Sequence, residues 1–391
     1  MIPTPRHRRL AARLVIGTCA WIALGSSVAA EPPADWPMFR GGPTQVGVAR
    51  GRLPDKPVVL WQFKTEDVVQ STAAIVGGTV FVGSDDGHVY ALRLADGSLI
   101  WKANAEAAVR SSPTVLRGRV YFGDEVGVLR AADAATGRIV WQFKTDAEIV
   151  SSVNPSGDRL LFGSYDGHLY CVSEKDGALQ WKFETQGRVH GTPAVVGQFA
   201  IVAGCDEGLH VVRIADGVAE RQVLMGGVSG CSAAVAGRRA FVGTFNNQVL
   251  CIDWSSGSRQ WLYQNPDREF PYYSSPAVNE RIVVIGGRDK EVHGLDARTG
   301  RQIWSFRTGS RVDSSPVILG DRVFVGSSDG NLYALDTSSG KEAWRFETGA
   351  GIFASPAIAD DRLVISSDEG VVYCFGEPPV PDESRRPQPT P

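Results

Sequence analysis

The sequence lacks the short motifs that mark the common classes of enzyme. It has six histidines and six cysteines among 391 residues, with no CxxC pair and no histidines at zinc-binding spacing. It also has no Walker loop, no Ser-His-Asp elbow and no two adjacent cysteines. Because each of these chemistries needs its residues at a fixed spacing, the absences argue against catalysis and predict neither a catalytic residue nor a metal site.

A hydrophobic run long enough to cross a membrane is also missing. The apolar stretch at residues 14–25 falls short of the roughly 20 residues that a spanning helix needs. Four arginines precede it and Val-Ala-Ala follows, which predicts a signal peptide over residues 1–30 with cleavage after Ala30. The context of Cys19, between Thr18 and Ala20, argues against a lipid anchor. We therefore expect a secreted or periplasmic protein with no membrane span.

Charge narrows the class of partner. Cleavage would remove four arginines and no acid from a chain whose formal net charge is −3. The resulting negative balance disfavours nucleic acids and anionic membranes as partners. Residues 377–391 are rich in proline and charge, which predicts a disordered tail.

What the sequence does have is a tryptophan every 40 residues, with one position missed near Arg221. Self-similarity at this period predicts a propeller or a solenoid. We expect each tryptophan to be structural and to bury about 200 Å² between neighbouring sheets, the alternative being a stacking platform for sugars or bases. The junction without a tryptophan should be the most weakly packed. The series is Trp61, Trp101, Trp141, Trp181, Trp261, Trp304 and Trp344.

Eight units follow the same register. Each opens with a Ser-Ser-Pro-like step and continues through short apolar strands separated by glycine turns, which predicts four antiparallel strands per unit. The openings begin at Ser71, Ser111, Ser151, Gly191, Cys231, Ser274, Ser314 and Ala354.

The two ends of the repeat predict how it closes. The strand containing Trp61 has no unit before it, and the last unit stops at Cys374-Phe375 without a tryptophan strand. We therefore expect an all-β, eight-bladed propeller over residues 61–376, closed by pairing of the N-terminal strand with the C-terminal blade. An open solenoid is the alternative, but it would need polar caps, and none is evident.

Three segments carry a family resemblance: ADAATGRIVW ending at Trp141, LDARTGRQIW ending at Trp304 and ALDTSSGKEAW ending at Trp344. They resemble the repeat of the pyrroloquinoline quinone (PQQ)-like β-propeller family. Within residues 31–60, the segment WPMFRGGPTQVG resembles the N-terminal lead-in of secreted bacterial members. The family includes quinone-dependent dehydrogenases, the lipoprotein propeller of the outer-membrane β-barrel assembly machine, and members without known activity.

The resemblance does not extend to the enzymes' chemistry. Quinone-dependent alcohol dehydrogenases carry a vicinal cysteine pair, a calcium held by Glu, Asn and Asp, and an aspartate base. This chain lacks the cysteine pair and also lacks the long insertions that build a substrate chamber. We therefore expect no cofactor, PQQ with calcium being the alternative.

The funnel at one end of the propeller axis is the predicted binding site. The residue before each Ser-Ser-Pro-like step should line its mouth, and the residue two positions earlier should lie on the same side of the strand. These positions differ chemically between blades, and a solvated channel rim with unrelated side chains is the alternative interpretation. The candidates are Gln70, Arg110, Glu148, Arg188, His190, Arg311, Asp313 and Phe353.

One connection is longer than the others. Trp261 and Trp304 are 43 residues apart, and the extra three residues precede Ser274. The enlarged loop carries Phe270, Tyr272 and Tyr273, which we predict to lie at the mouth and to anchor a partner. The alternative is an aromatic plug over the channel.

The cysteines of the mature chain fall into two groups. Cys171, Cys251 and Cys374 share one repeat position with alanines, which predicts small buried packing residues. Cys205 and Cys231 should lie on the same face of neighbouring blades, where they form either a disulfide or two free thiols.

Two functions remain open. The first is a secreted, non-catalytic propeller that binds a protein or peptide, as a monomer or as a subunit of an envelope complex. The second is a propeller that binds a quinone or another small ligand, as an enzyme or as a sensor.

Overall fold

The computed structural model describes Met1 and residues 35–378. Residues 2–30 of the predicted signal peptide, the first four residues of the lead-in and residues 379–391 of the predicted tail lie outside the described residues. No helix in the described part of the chain is long and apolar enough to cross a membrane.

The described residues form 32 strands in eight four-stranded antiparallel sheets. The first strands of neighbouring sheets contact one another, so they line the axis and the fourth strands form the outer rim. The strands are β1 (Val58–Lys64), which belongs to the last blade; β2 to β5 of blade 1 (Ala74–Val76, Thr79–Gly83, His88–Arg93, Leu99–Asn104); β6 to β9 of blade 2 (Thr114–Leu116, Arg119–Gly123, Val128–Asp133, Ile139–Lys144); β10 to β13 of blade 3 (Asn154–Ser156, Arg159–Gly163, His168–Ser173, Leu179–Glu184); β14 to β17 of blade 4 (Ala194–Val196, Phe199–Ala203, Gly208–Arg213, Ala219–Leu224); β18 to β21 of blade 5 (Ala234–Ala236, Arg239–Thr244, Gln248–Asp253, Ser258–Tyr263); β22 to β25 of blade 6 (Ala277–Val278, Ile282–Gly286, Glu291–Asp296, Gln302–Arg307); β26 to β29 of blade 7 (Val317–Leu319, Arg322–Gly326, Asn331–Asp336, Glu342–Glu347); and β30 to β32 of blade 8 (Ala357–Ala359, Arg362–Ser366, Val371–Gly376).

The ring closes as predicted. The N-terminal strand β1 pairs antiparallel with β32 of blade 8, and Trp61 lies opposite Cys374. Blade 8 is thus built from both ends of the repeat, which removes the two free sheet edges that an open array would present.

The rim tryptophans join each blade to the next. Trp304 is 7% exposed and donates from Nε1 to the carbonyl of Thr337, 33 residues later, at 2.9 Å. Its ring packs against Gly340, where φ is +69° and where a Cβ would lie only 2.6 Å from the indole. Glycine therefore satisfies both the turn conformation and the close approach. The same type of Nε1 bond to the next blade is made by Trp61, Trp101, Trp141, Trp181 and Trp261.

The junction between blades 4 and 5 uses other residues. Arg221 occupies the tryptophan position, and its Cδ lies near Gly257 of blade 5. Trp254 of blade 5 packs back on Phe199 of blade 4, with ring centroids 5.6 Å apart. This second contact, which the 40-residue period did not indicate, adds aromatic packing where the rim tryptophan is missing.

The lead-in is part of the propeller. Trp36 is 2% exposed and pairs antiparallel with Ile75 of β2, while Val48 pairs with Ile318 of β26. Between them the segment contains a short 3-10 turn, Phe39–Gly41, and winds around the inside of the channel. Its carbonyls accept N–H groups from the innermost strands of blades 2, 4, 5, 6 and 7, namely those of Val115, Val195, Val235, Val278 and Ile318.

Candidate functional site

A ring of hydroxyl groups joins the eight blades at the axis. The second residue of each opening step accepts an N–H from the equivalent residue of the preceding blade; for example, the N–H of Ser112 donates to Oγ of Ser152 at 2.9 Å. The last of these bonds runs from the N–H of Ser355 to Oγ1 of Thr72 at 3.2 Å and completes the circle. The members of this hydroxyl ring are Thr72, Ser112, Ser152, Thr192, Ser232, Ser275, Ser315 and Ser355.

The hydroxyl ring forms the floor of a funnel-shaped cavity of about 360 Å³. Phe39 of the lead-in also lines it. Along each innermost strand the mouth residue comes first, the hydroxyl residue second and the contact with the lead-in third, so the lead-in lies beyond the floor. The predicted mouth positions do line this cavity; they are Gln70, Arg110, Val150, His190, Gly230, Tyr273, Asp313 and Phe353, joined by Glu148 from the second predicted row.

A third set of residues at the mouth was not predicted. They lie two residues after the end of the second strand, or directly after it in blade 5. Each donates its N–H to the carbonyl two residues before a mouth position; Tyr165, for example, donates to Glu148 at 2.9 Å. The 40-residue register could have revealed them, because their chemistry varies between blades as much as that of the predicted positions. They are Asp85, Glu125, Tyr165, Cys205, Phe245, Arg288, Ser328 and Asp368.

One side of the mouth is charged. Arg110 binds Asp85 at 3.0 Å and also contacts Glu125. The hydrogen bond to Asp85 is the largest cause of the raised pKa of Arg110. Arg110 is thus in direct contact with both carboxylates, and its single positive charge offsets one of their two negative charges.

A second charged cluster lies in blades 6 and 7. The Asp313 carboxylate is almost fully buried and receives Arg288 Nε at 2.8 Å and Arg311 Nε at 3.2 Å. Arg311 also lies over the Phe353 ring, 5.0 Å from its centroid. Two guanidinium groups thus share one carboxylate, and the Asp368 carboxyl lies close enough to Arg311 and Asp313 to interact with both electrostatically.

The other side of the mouth is aromatic and centres on His190. Nδ1 of His190 lies 2.5 Å from the Tyr165 hydroxyl and Nε2 lies 3.0 Å from the Tyr273 hydroxyl. Burial lowers the pKa of His190 to about 4, so the ring is neutral at neutral pH, with one nitrogen donating and the other accepting. Tyr273 stacks on Phe245 at 5.7 Å, and the predicted residue Arg188 lies over Tyr165 at 5.0 Å.

The three aromatic residues of the long loop have different positions. Phe270 is 47% exposed and Tyr273 lines the funnel. The prediction that Tyr272 lies at the mouth is wrong, because its side chain is fully buried and packs edge-on against His293, 5.5 Å away. Strand alternation explains the split, since neighbouring residues point to opposite sides of an extended segment.

The two cysteines at the junction of blades 4 and 5 are free thiols, so the disulfide interpretation is wrong. Cys205 Sγ contacts the carbonyl of Ser229 at 3.6 Å, whereas Cys231 Sγ accepts the N–H of Gly243 at 3.3 Å. Each sulfur is thus held by the backbone. Cys171, Cys251 and Cys374 are buried opposite rim tryptophans, as their shared repeat position predicts.

One group of potential metal ligands lies away from the funnel, among the described residues. Asp289, Glu291 and His293 come together in blade 6, and His293 Nε2 lies 2.8 Å from Asp289 Oδ2. In blade 1, Tyr90 makes the same link to Asp86 at 2.7 Å. The pairing is therefore a repeat-wide contact between a turn and a strand, and it does not indicate a metal.

The funnel also does not match the donor set of a quinone enzyme. Asp85 and Asp313 are engaged by arginines, and no adjacent cysteines are present to cover a cofactor. The residues therefore do not fit a calcium-bound quinone of the dehydrogenase type.

Fold and repeat together define a PQQ-like repeat β-propeller. More particularly, the chain belongs to the family of the outer membrane protein assembly factor BamB, whose family model matches residues 55–157, 148–269 and 288–377. No curated protein matches the chain.

Solved structures with the same fold include an assembly factor, a designed protein and a dehydrogenase. BamB from Moraxella catarrhalis is 19% identical with a TM-score of 0.71, covering 82% of this chain and 100% of that one. The computationally designed Ika8 protein is 16% identical with a TM-score of 0.71, covering 82% and 99%. Quinohemoprotein alcohol dehydrogenase from Comamonas testosteroni is 13% identical with a TM-score of 0.73, covering 89% and 82%. At these identities the likeness concerns the fold.

Proposed function

We propose that this protein is a non-catalytic binding or scaffold protein of the cell envelope, whose funnel mouth holds a protein or peptide partner. This proposal rests on a contrast between two parts of the propeller. The rim repeats one inter-blade contact, whereas at the mouth the residues at three sets of equivalent positions differ from blade to blade. Side chains that differ between equivalent positions of the blades are not required for the fold of the repeat. A mixture of charged and exposed aromatic side chains is typical of a recognition surface.

Family membership and the predicted signal peptide support the proposed location. BamB is by its description an outer membrane protein assembly factor, and cleavage after Ala30 would place the mature chain outside the cytoplasm. A partner in the same compartment follows from this location.

A propeller that binds a small ligand is the second candidate. The funnel of about 360 Å³ is large enough for a small molecule, and its polar groups converge on the axis. The ion pairs of Asp85 and Asp313 count against a calcium-dependent quinone. Mature protein supplied with PQQ and calcium should give no dye reduction with alcohols or sugars. Dye reduction that disappears in Asp313→Ala, with folding verified by circular dichroism, would favour the enzyme instead.

Site-specific photo-crosslinking in cells tests the binding function. A photoreactive amino acid replaces exposed mouth residues one at a time (Glu148, Arg188, Phe270) or, as matched controls, exposed apolar residues of the outer strands (Leu99, Leu179, Ile303). We expect one adduct of constant mass from the mouth positions and none from the rim. Adducts from the rim alone, or from neither set, would contradict the proposal.

A further inference from the structure

Arg40 of the lead-in is a buried cation without a carboxylate partner. Arg40 is 1% exposed, and its Nη2 donates to the carbonyl of Pro276 at 3.0 Å. Nε and Nη1 have no hydrogen-bond partner within residues 35–378. Burial lowers the pKa of Arg40 to about 9, so the group remains charged at neutral pH.

The backbone also holds Arg40 in an unfavourable conformation. Its φ of 60° and ψ of 13° lie in the left-handed region, which is unfavourable for a residue other than glycine. Gly47 lies against the guanidinium so closely that a Cβ would fall 1.8 Å from Nη2. Burial of an unpaired charge is a further and larger cost. We therefore expect a group near Arg40 to offset the unfavourable burial of its charge.

The hydroxyl ring supplies donors next to this cation. Each of its eight hydroxyls accepts one N–H, and none donates to a protein acceptor in the described part of the chain. Their hydrogens are therefore available to the cavity that they line. Hydroxyl groups stabilise an anion by donation, but they carry no charge that could neutralise a guanidinium.

Arg40 reaches the level of this ring between blades 5 and 6. The carbonyl that it binds belongs to Pro276, which directly follows the ring member Ser275. Arg40 is also close enough to Cys231, which directly precedes Ser232, for the two to interact electrostatically. The unpaired guanidinium thus binds the backbone one residue away from a member of the ring whose hydroxyls are free to donate.

We propose that the axial channel holds a small monovalent anion, a halide or a carboxylate group, bound by the hydroxyl ring and neutralising Arg40. The carboxylate could belong to a free ion or to a ligand that enters through the funnel. The inference does not rest on the proposed protein partner, because a free ion satisfies it.

Thermal unfolding of the mature protein at constant ionic strength tests the site. Chloride or formate replaces gluconate, which is too bulky for the channel floor. We expect the unfolding temperature to rise and saturate with chloride or formate. This rise should be absent in Arg40→Met. It should persist in Arg322→Met, which removes an arginine that also binds lead-in carbonyls, at Leu53 and Pro54, but lies outside the channel. An identical anion response in both variants would overturn the proposal.

Bromide localises the site directly and does not depend on the variant folding. Crystals of the wild-type protein grown with bromide should show an anomalous peak on the axis beside Arg40 and the hydroxyl ring. Stabilisation by formate with no bromide peak would assign the site to a carboxylate. The absence of a peak together with equal stability in all three anions would show that water alone fills the channel and would refute the proposal.

Discussion

The rim and the mouth of this propeller use the same repeat in opposite ways. At the rim, seven positions carry tryptophan, and six of these indoles bond to the same place in the next blade. At the mouth, the eight inner positions include arginine, histidine, tyrosine, aspartate, phenylalanine and glycine. Each of these six tryptophans meets the same kind of neighbour, so one contact serves six of the eight junctions. The mouth residue meets mostly solvent and its own cluster, so its chemistry is free to serve recognition.

Removing the closing strand should lower the stability of the propeller more than any other change. Deleting residues 31–65 takes away β1 and the lead-in, which exposes the edge of β32 and the inner wall of the channel. We expect aggregation and no cooperative unfolding, measured by size-exclusion chromatography and circular dichroism. A soluble truncation with the heat stability of the full mature chain would show that ring closure is unimportant.

The rim contact itself is tested by comparing two junctions. Trp304→Ala should lower the free energy of unfolding by about 3–5 kcal/mol, since it empties the packed interface against Gly340. Arg221→Ala at the junction of blades 4 and 5 should cost about 1 kcal/mol, because mainly side-chain packing on Gly257 is lost. Denaturant titration measures both. Equal losses would mean that the rim tryptophans are not the main inter-blade contact.

Substitutions at two residues of the long loop distinguish a residue that stabilises the fold from a residue that is free to contact a partner. Tyr272→Ser should lower the free energy of unfolding by about 3 kcal/mol, because it leaves a cavity beside His293. Phe270→Ser should change it by less than about 0.5 kcal/mol, as expected for an exposed side chain. Should Phe270→Ser prove as costly as Tyr272→Ser in the same titration, the loop is a plug packed into the propeller.

Titration of His190 should make the stability of the protein depend on pH. Its pKa of about 4 in the folded protein lies below the ordinary value of about 6.5, so the unfolded chain binds the extra proton between these values. Stability is therefore lost as pH falls through this window, by about 1.4 kcal/mol per pH unit at most.

His190→Gln lacks this titration and serves as the control for the other acids of the protein. The stability difference between the wild type and the variant should shrink on going from pH 7 to pH 4.5. A constant difference across this range would contradict a neutral, buried His190.

The fold could be predicted almost completely from the sequence, because the repeat multiplies weak local signals. The strand pattern of one unit is ambiguous, but eight copies fix the register, and the orphan strand at Trp61 indicates how the ring closes. The mouth positions followed from the same register. The role of the lead-in could not be predicted, since Trp36 and Arg40 belong to no repeat and contact residues that are distant in sequence. Trp254 was missed because it lies in the repeat but away from the recurring tryptophan position, and its contact with Phe199 is made across two blades.

The detailed arrangement of the site was also beyond the sequence. The bonds from His190 to Tyr165 and Tyr273 join blades 3, 4 and 6, and they depend on the curvature of the ring and on the small residue Gly230 between them. The split between Tyr272 and Tyr273 depends on where the loop enters the strand. The spacing of residues in the sequence predicts neither the contacts of His190 nor the different positions of Tyr272 and Tyr273.

The most direct test of the central claim compares two residues that are equally exposed in different places. Phe270, in the long loop that leads to the mouth residue Tyr273, and Ile303, on the outer strand of blade 6, are each 47% exposed. Both Phe270→Ser and Ile303→Ser should retain wild-type stability. Affinity for the partner identified by crosslinking should fall roughly tenfold in Phe270→Ser and stay unchanged in Ile303→Ser. Equal affinity in the two variants, or a loss confined to Ile303→Ser, would contradict the assignment of binding to the mouth.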